Sequence, residues 1–417
     1  MDDLREKNVK YALEYDELEQ EAEFPTEELI EEDHPNDLVG RKIRLYAGIS
    51  VMILYPIVLI WYYFNRDSIW NWAEKLCDAS SRVGGSGVEM MTYLFSNYFD
   101  RLTPVGCCAL LMLGVDKANA LKTGFVFILG MHSRNLLRNW FEDNRPLYTS
   151  ANLRMTQLIC NCSFGIPSGH VEGTATMNIC ILYACILHSR TNTRTTKTIG
   201  VLVVALLQAL MIFSMMYTGR HHIVQGSISL LHSFFWMGFM AVCDPLWTKL
   251  CRGFLNGDKK ALIALWSMAF GIYLTVGALW LLWLEPKLFA FKPKYLYRCH
   301  ECFKNNNYAM RISMTKAFAN AAVPLGIVSG LTVTGANSLE RNDNIFWDHM
   351  TCEGIGRFFF LFLLNILNFT SIPIKTSSID SFLYSTIFCF ATNFLFVVLF
   401  PKITECLRIR FKGDLIY

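Results

Sequence analysis

Residues 198–225 read TIGVLVVALLQALMIFSMMYTGRHHIVQ. The first part, 198–217, is an apolar run close to the roughly twenty residues that a ~30 Å hydrocarbon layer requires. It breaks off into Thr218-Gly-Arg-His-His, and the next apolar run begins at once. A histidine at such a boundary with a hydrogen-bonding side chain four residues on, one helical turn away, has the orienting partner that a nucleophilic imidazole needs. Gln225 stands at that distance from His221, yet spacing alone leaves His221 and His222 equally eligible.

Working outward, further runs of this kind fall at about 45–64, 90–115, 119–138, 171–189, 223–245, 261–284, 313–335, 357–374 and 380–400. With the run at 198–217 they predict an all-α, polytopic membrane helical bundle of nine or ten spans. The second run is broken by Asp100 and Arg101, which accounts for the range. Composition agrees: 53% of the 417 residues are hydrophobic, and the mean hydropathy is +0.30. A soluble surface does not tolerate that excess, so it faces lipid. Net charge is only +3, and no nucleic-acid footprint follows from it. Most of the 14 cysteines, such as Cys107, Cys180 and Cys389, lie inside apolar runs as small hydrophobes, so no disulfide framework is indicated. Cys299 and Cys302 have zinc-like spacing but no second pair nearby. No metal site and no cofactor are expected.

The organisation is read in three parts. Residues 1–40 are rich in acid, from Glu17 to Asp33, and poor in aliphatics, which predicts a disordered cytosolic tail. Residues 41–245 form a membrane domain, and 246–417 add further spans and a basic loop at 285–312. Basic residues in short loops resist translocation. Arg41, Lys42 and Arg44, then Lys117 and Lys122, then Arg190, Arg194 and Lys197, then Lys249 and Arg252 mark the cytosolic side. The basic loop 285–312 falls on the opposite side, against that trend.

Two more motifs stand at span ends on the non-cytosolic side. Arg138-Asn-Trp-Phe-Glu-Asp-Asn-Arg145-Pro146 places two arginines two helical turns apart. The guanidinium fork grips phosphate oxygens bidentately and keeps its charge. Phe164-Gly-Ile-Pro167-Ser168-Gly169-His170 feeds a helix start, where backbone N–H groups, a hydroxyl and the positive end of the helix dipole favour an anion. His170 would sit beside that anion as a proton-transfer group.

The three motifs, in this order, resemble the signature of the phosphatidic acid phosphatase type 2 superfamily: Lys-x6-Arg-Pro, Pro-Ser-Gly-His, and Ser-Arg-x5-His-x3-Asp. Ser214, Tyr217, Gly219 and His221 match the third pattern, which selects His221 over His222. The resemblance covers about residues 100–245. Gly173-Thr174-Ala175, the upstream Cys160 and Cys162, Gln225, and a total of nine or so spans are similar to the glucose-6-phosphatase branch. It implies a six-helix phosphatase-like core and metal-independent hydrolysis of a phosphomonoester, either a lipid phosphate or a sugar phosphate. His221 would be the nucleophile, forming a phosphohistidine, His170 the acid and base, and Gln225 the partner of the His221 ring. Arg138, Arg145, Ser168 and the Gly169 amide would hold the phosphate. The setting implied is a multi-pass protein of the endoplasmic reticulum or another endomembrane, with its active face lumenal or extracellular.

Three positions depart from the pattern. Arg138 replaces lysine and keeps the cation; Gln225 replaces aspartate and gives up a negative charge. Met215 stands where the family places a phosphate-gripping arginine, and it supplies neither charge nor donor. Arg220 is the candidate to compensate, although a residue five positions on leaves a different face of the helix or loop. The alternative reading is therefore a catalytically impaired homologue that binds membrane lipid or serves as a subunit of a membrane complex.

Overall fold

The computed structural model describes residues 35–99, 117–150, 153, 164–182, 193–279, 282, 318 and 321–333, and parts of 386–398. Residues 1–46 and 47–417 are separate units. In the first, the described residues 35–46 are already helical. The helix thus enters the segment read as a disordered tail, beginning at a proline whose fixed φ suits the first helical position.

Every described element is helical. Helix α1 (Pro35–Ser81) is followed by α2 (Ser86–Tyr93), which runs into a π-helical turn at Leu94–Phe99. Then come α3 (Lys117–Phe141), the short α4 (Pro146–Thr149), α5 (Gly169–Ile181), α6 (Arg194–Tyr217), α7 (Ile223–Leu255) and α8 (Lys259–Leu279). Helix α7 is the axis of the bundle, with α3, α5, α6 and α8 packed around it.

Four stretches are long and apolar enough to cross a membrane: Lys42–Ser81, Arg194–Tyr217, Ile223–Cys251 and Lys259–Leu279. They coincide with the spans expected at 45–64, 198–217, 223–245 and 261–284. The total of nine or ten is not established among the described residues. The run at 357–374 lies outside them, as does most of 90–115, and those at 313–335 and 380–400 appear as the shorter apolar helices Ala321–Val333 and Thr386–Leu395. Cys299, Cys302 and the basic loop 285–312 also lie outside the described residues.

The outward faces are consistent with a membrane-spanning character. Helix α6 exposes Ile199, Val201, Leu202, Val203 and Leu206 while burying Gly200, Gln208, Met211, Ser214 and Met215. Helix α1 exposes Ile53, Leu54, Ile57, Ile60, Trp61 and Phe64. A contiguous apolar surface of this extent needs a cover, and acyl chains provide one. Lipid removes the hydrophobic drive between helices, so close packing must hold them together. On the inner face of α1, Gly48, Tyr55 and Tyr62 recur every seventh residue, one narrow stripe turned toward the bundle. Gly48 meets Gly238 of α7 backbone to backbone, and a Cβ built on Gly48 would stand 2.8 Å from the Gly238 carbonyl oxygen. Tyr55 donates to or accepts from His232 Nδ1 at 2.7 Å, and Tyr62 reaches the Asp143 carboxylate at 2.6 Å.

The glycine contact leaves no room for a side chain. Gly48→Val should force α1 and α7 apart and lower stability by about 1–3 kcal/mol, measured as an earlier thermal unfolding transition in detergent. Gly124→Ala, at a position with open space around it, should leave the transition in place.

Candidate functional site

All three motifs meet at one end of the bundle, where α3 and α6 end and α5 and α7 begin. Backbone bonds tie their loops together. Gly165 N–H donates to the Asp143 carbonyl at 2.6 Å, and Leu147 N–H donates to the Gly219 carbonyl at 2.9 Å. Gly165 has to be glycine, because a Cβ there would lie 2.4 Å from Gln225 Nε2.

The floor is buried. Arg145 is 1% exposed and His221 is 0% exposed, and Arg145 Nη1 approaches His221 Nε2 at 3.3 Å. A guanidinium only donates, so Nε2 accepts and the neutral ring carries its proton on Nδ1. That Nδ1 has no hydrogen-bond partner among the described residues. The His170 ring lies opposite, 6.2 Å from the His221 ring between centroids and tilted by 55°. Ser168 caps α5, its hydroxyl accepting from Val171 N–H at a long 3.5 Å, and its own N–H donates to Ser229 Oγ at 2.5 Å. Arg138 donates from Nε to the Pro167 carbonyl at 2.7 Å. Its Nη2 comes within 3.1 Å of where a Gly169 Cβ would be, so a side chain there would crowd the guanidinium at the helix start. Gly169, His170 and Arg138 are the partly exposed rim of the site.

Met215 does not face this space. It packs with Val171 and Met211 in an apolar cluster bordered by Phe95, Ile212 and Leu230. Arg220 does: its Nη1 lies 3.4 Å from His170 Nε2 and donates to the Ser96 carbonyl at 3.0 Å. Arg220 leaves on a face other than that of Met215, and the way α6 ends carries it to His170. Gly219 takes a left-handed φ of 65°. Its N–H bonds to the Met216 carbonyl at 3.0 Å and that of Arg220 to the Met215 carbonyl at 3.0 Å. This paired pattern is a Schellman cap, which folds the chain back over the last turn. The backbone of residue 220 is thereby bonded to that of residue 215, while the two side chains part.

Gln225 also differs from its expected place. Its amide donates to Asp143 Oδ2 at 2.8 Å and to the Asn144 carbonyl at 3.0 Å, while its oxygen accepts from His222 N–H at 3.2 Å. Both ends of the amide are thus engaged away from the His221 ring. His222 turns away from the site, edge-on to Trp70 at 4.8 Å. Spacing toward Gln225 could not foresee this, because the competing partner, Asp143, comes from another motif. Reading by motif also passed over Arg134, which is ion-paired with Glu172. A charged residue inside each of two apolar helices was the available signal. No cluster of three or more His, Cys, Asp or Glu side chains that could hold a metal ion occurs among the described residues.

Helices fit to span a membrane, with a buried arginine and histidine cluster where their ends meet, are consistent with a helical integral membrane protein. Residues 119–249, the segment that contains all three motifs, match the family model of the PAP2 superfamily. The match suggests a phosphatase-type function and phosphomonoester substrates. No curated protein and no solved structure matches the chain.

Two outcomes follow from this geometry. Restoring the family acid by Gln225→Asp should set two buried carboxylates face to face and cost on the order of 3 kcal/mol. Asp143→Asn in the same chain should recover most of the loss, read as the thermal midpoint in detergent. Burial, reinforced by Arg145 and Arg138, holds the His221 imidazole well below its ordinary pKa, and burial draws His222 down to about 3. The unfolded chain therefore binds protons that the folded chain refuses, and stability should fall as pH drops below about 6.5. The thermal midpoint should be lower at about pH 5 than at about pH 7.5, and a His222→Phe variant should show a shallower decline.

Proposed function

We propose that the protein is an integral membrane phosphatase that hydrolyses a phosphomonoester, of a lipid or a sugar, by way of a phosphohistidine and without a metal ion. The observation that carries this reading is the pair of facing imidazoles, 6.2 Å apart, with Arg138, Arg145 and Arg220 around them. That gap suits one tetrahedral oxyanion with a ring nitrogen on either side of phosphorus.

The steps balance with the residues present. His221 Nε2 attacks phosphorus in line, a P–N bond forms, and the ester P–O bond breaks. His170, protonated in the complex by the acidic proton of the ester monoanion, passes that proton to the departing oxygen. A water then attacks phosphorus, His170 takes its proton, and the P–N bond breaks to release phosphate. Arg145, Arg138, Ser168 and the Gly169 N–H hold the equatorial oxygens, with Arg220 in the role the family gives to position 215. A neutral His221 at physiological pH is what a nucleophilic imidazole requires. The active face would be lumenal or extracellular, in an endomembrane.

A second reading, a catalytically impaired homologue that binds lipid or joins a membrane complex, draws on the His221 Nδ1–H. It meets no acceptor among the described residues, while Gln225 is engaged elsewhere. An imidazolium left without a carboxylate partner is a poorer intermediate.

A panel of lipid and sugar phosphates in detergent without divalent metal decides between them. The first reading expects phosphate release by the wild type, none by His221→Ala, and a loss of about 10²–10³-fold for Arg220→Met. It also expects no gain from Met215→Arg, which drives a charge into an apolar cluster. A wild type inert on every ester, with Met215→Arg gaining activity, would support the second reading and overturn the first.

A further inference from the structure

Arg134 and Glu172 take no part in the mechanism above, yet they are charges inside two apolar helices, and such residues are costly to keep. Arg134 lies one helical turn before Arg138 on α3, and Glu172 one turn beyond Ser168 on α5. Their side chains form an ion pair with relative exposures of 12% and 0%. Two glycines leave the space for it. A Cβ on Gly130 would stand 2.7 Å from Glu172 Oε1, and one on Gly169 would stand 3.0 Å from Arg134 Cζ and 3.1 Å from Arg138 Nη2. Ser233 of α7 fixes the other side, donating to the Glu172 carbonyl at 3.0 Å. Arg134 also points a donor at the Gly169 carbonyl, 3.4 Å away.

Two guanidinium groups thus crowd one α-carbon at the mouth of the anion site, and like charges so close repel unless one is neutralised. Arg138 is tied to the Pro167 carbonyl on the site's rim. Arg134 is tied to a carboxylate one turn deeper.

We propose that Glu172 holds Arg134 in an internal ion pair out of reach of the anion, so that the pair as a whole adds no charge to the phosphate site. This rests on the phosphate-site reading above. The carboxylate sets how many cations the bound anion meets: enough to hold the phosphoryl group, and few enough for inorganic phosphate to leave.

The test is direct binding of inorganic phosphate by calorimetry to the full chain in detergent, with folding checked by size exclusion. Glu172→Gln should free Arg134 to reach the anion and tighten phosphate binding by roughly tenfold, the worth of one added charge-assisted hydrogen bond. The double variant Arg134→Gln with Glu172→Gln removes both charges and should stay within about twofold of the wild type. A double variant that loses tenfold or more would make Arg134 an anion ligand and overturn the proposal, whether or not Glu172→Gln folds by itself. Unchanged affinity in a folded Glu172→Gln would overturn it as well. Both results leave the phosphate site standing, whereas a folded wild type that binds no phosphate would remove the site and this inference together.

Discussion

Burying the Arg145 guanidinium against the His221 imidazole is the constraint that organises the rest of the bundle end. Taking a cation out of water costs roughly several kcal/mol even after relaxation. The loop that carries it must therefore be held rigidly. Asp143, two residues before Arg145, is gripped by Tyr62 of α1 and Gln225 of α7. Leu147, two residues after, is bonded to the cap of α6. Three helices and two motifs are committed to one loop, and the imidazole opposite stays neutral as a result.

The placement of Met215 and Arg220 follows from the same economy of space. An arginine at position 215 would have to emerge from the last turn of α6, where Val171 and Met211 now close an apolar contact. Glycine at 219 lets the chain reverse, and the next residue returns a guanidinium to the neighbourhood of His170. A cation is thus supplied from the cap instead of the helix. Gln225 shows a parallel exchange, since the acid that the family keeps in the third motif has its counterpart here in Asp143 of the first. The acid serves the loops and not the His221 ring.

Much of the fold was legible because apolar runs and their charged flanks are local features, and a membrane reads them locally. The runs at 45–64, 198–217, 223–245 and 261–284 each became a helix fit to span. The site was legible as a set of residue types. Arg138, Arg145, Ser168, Gly169, His170 and His221 were each named by motif, and they are neighbours in the structure. Gln225 and Arg220 were named too, but the partners of the one and the approach of the other to His170 came from the fold.

By itself, the sequence determined which segments are apolar enough for lipid and which side chains can grip an anion or move a proton. Those properties belong to residues and short spacings. Only the tertiary structure decided that Arg220 stands beside His170 while Met215 packs in an apolar cluster, that Gln225 serves Asp143, and that Arg134 is matched by Glu172. Each of these depends on a chain reversal or on packing between helices far apart in sequence, and no periodicity within a single segment encodes either.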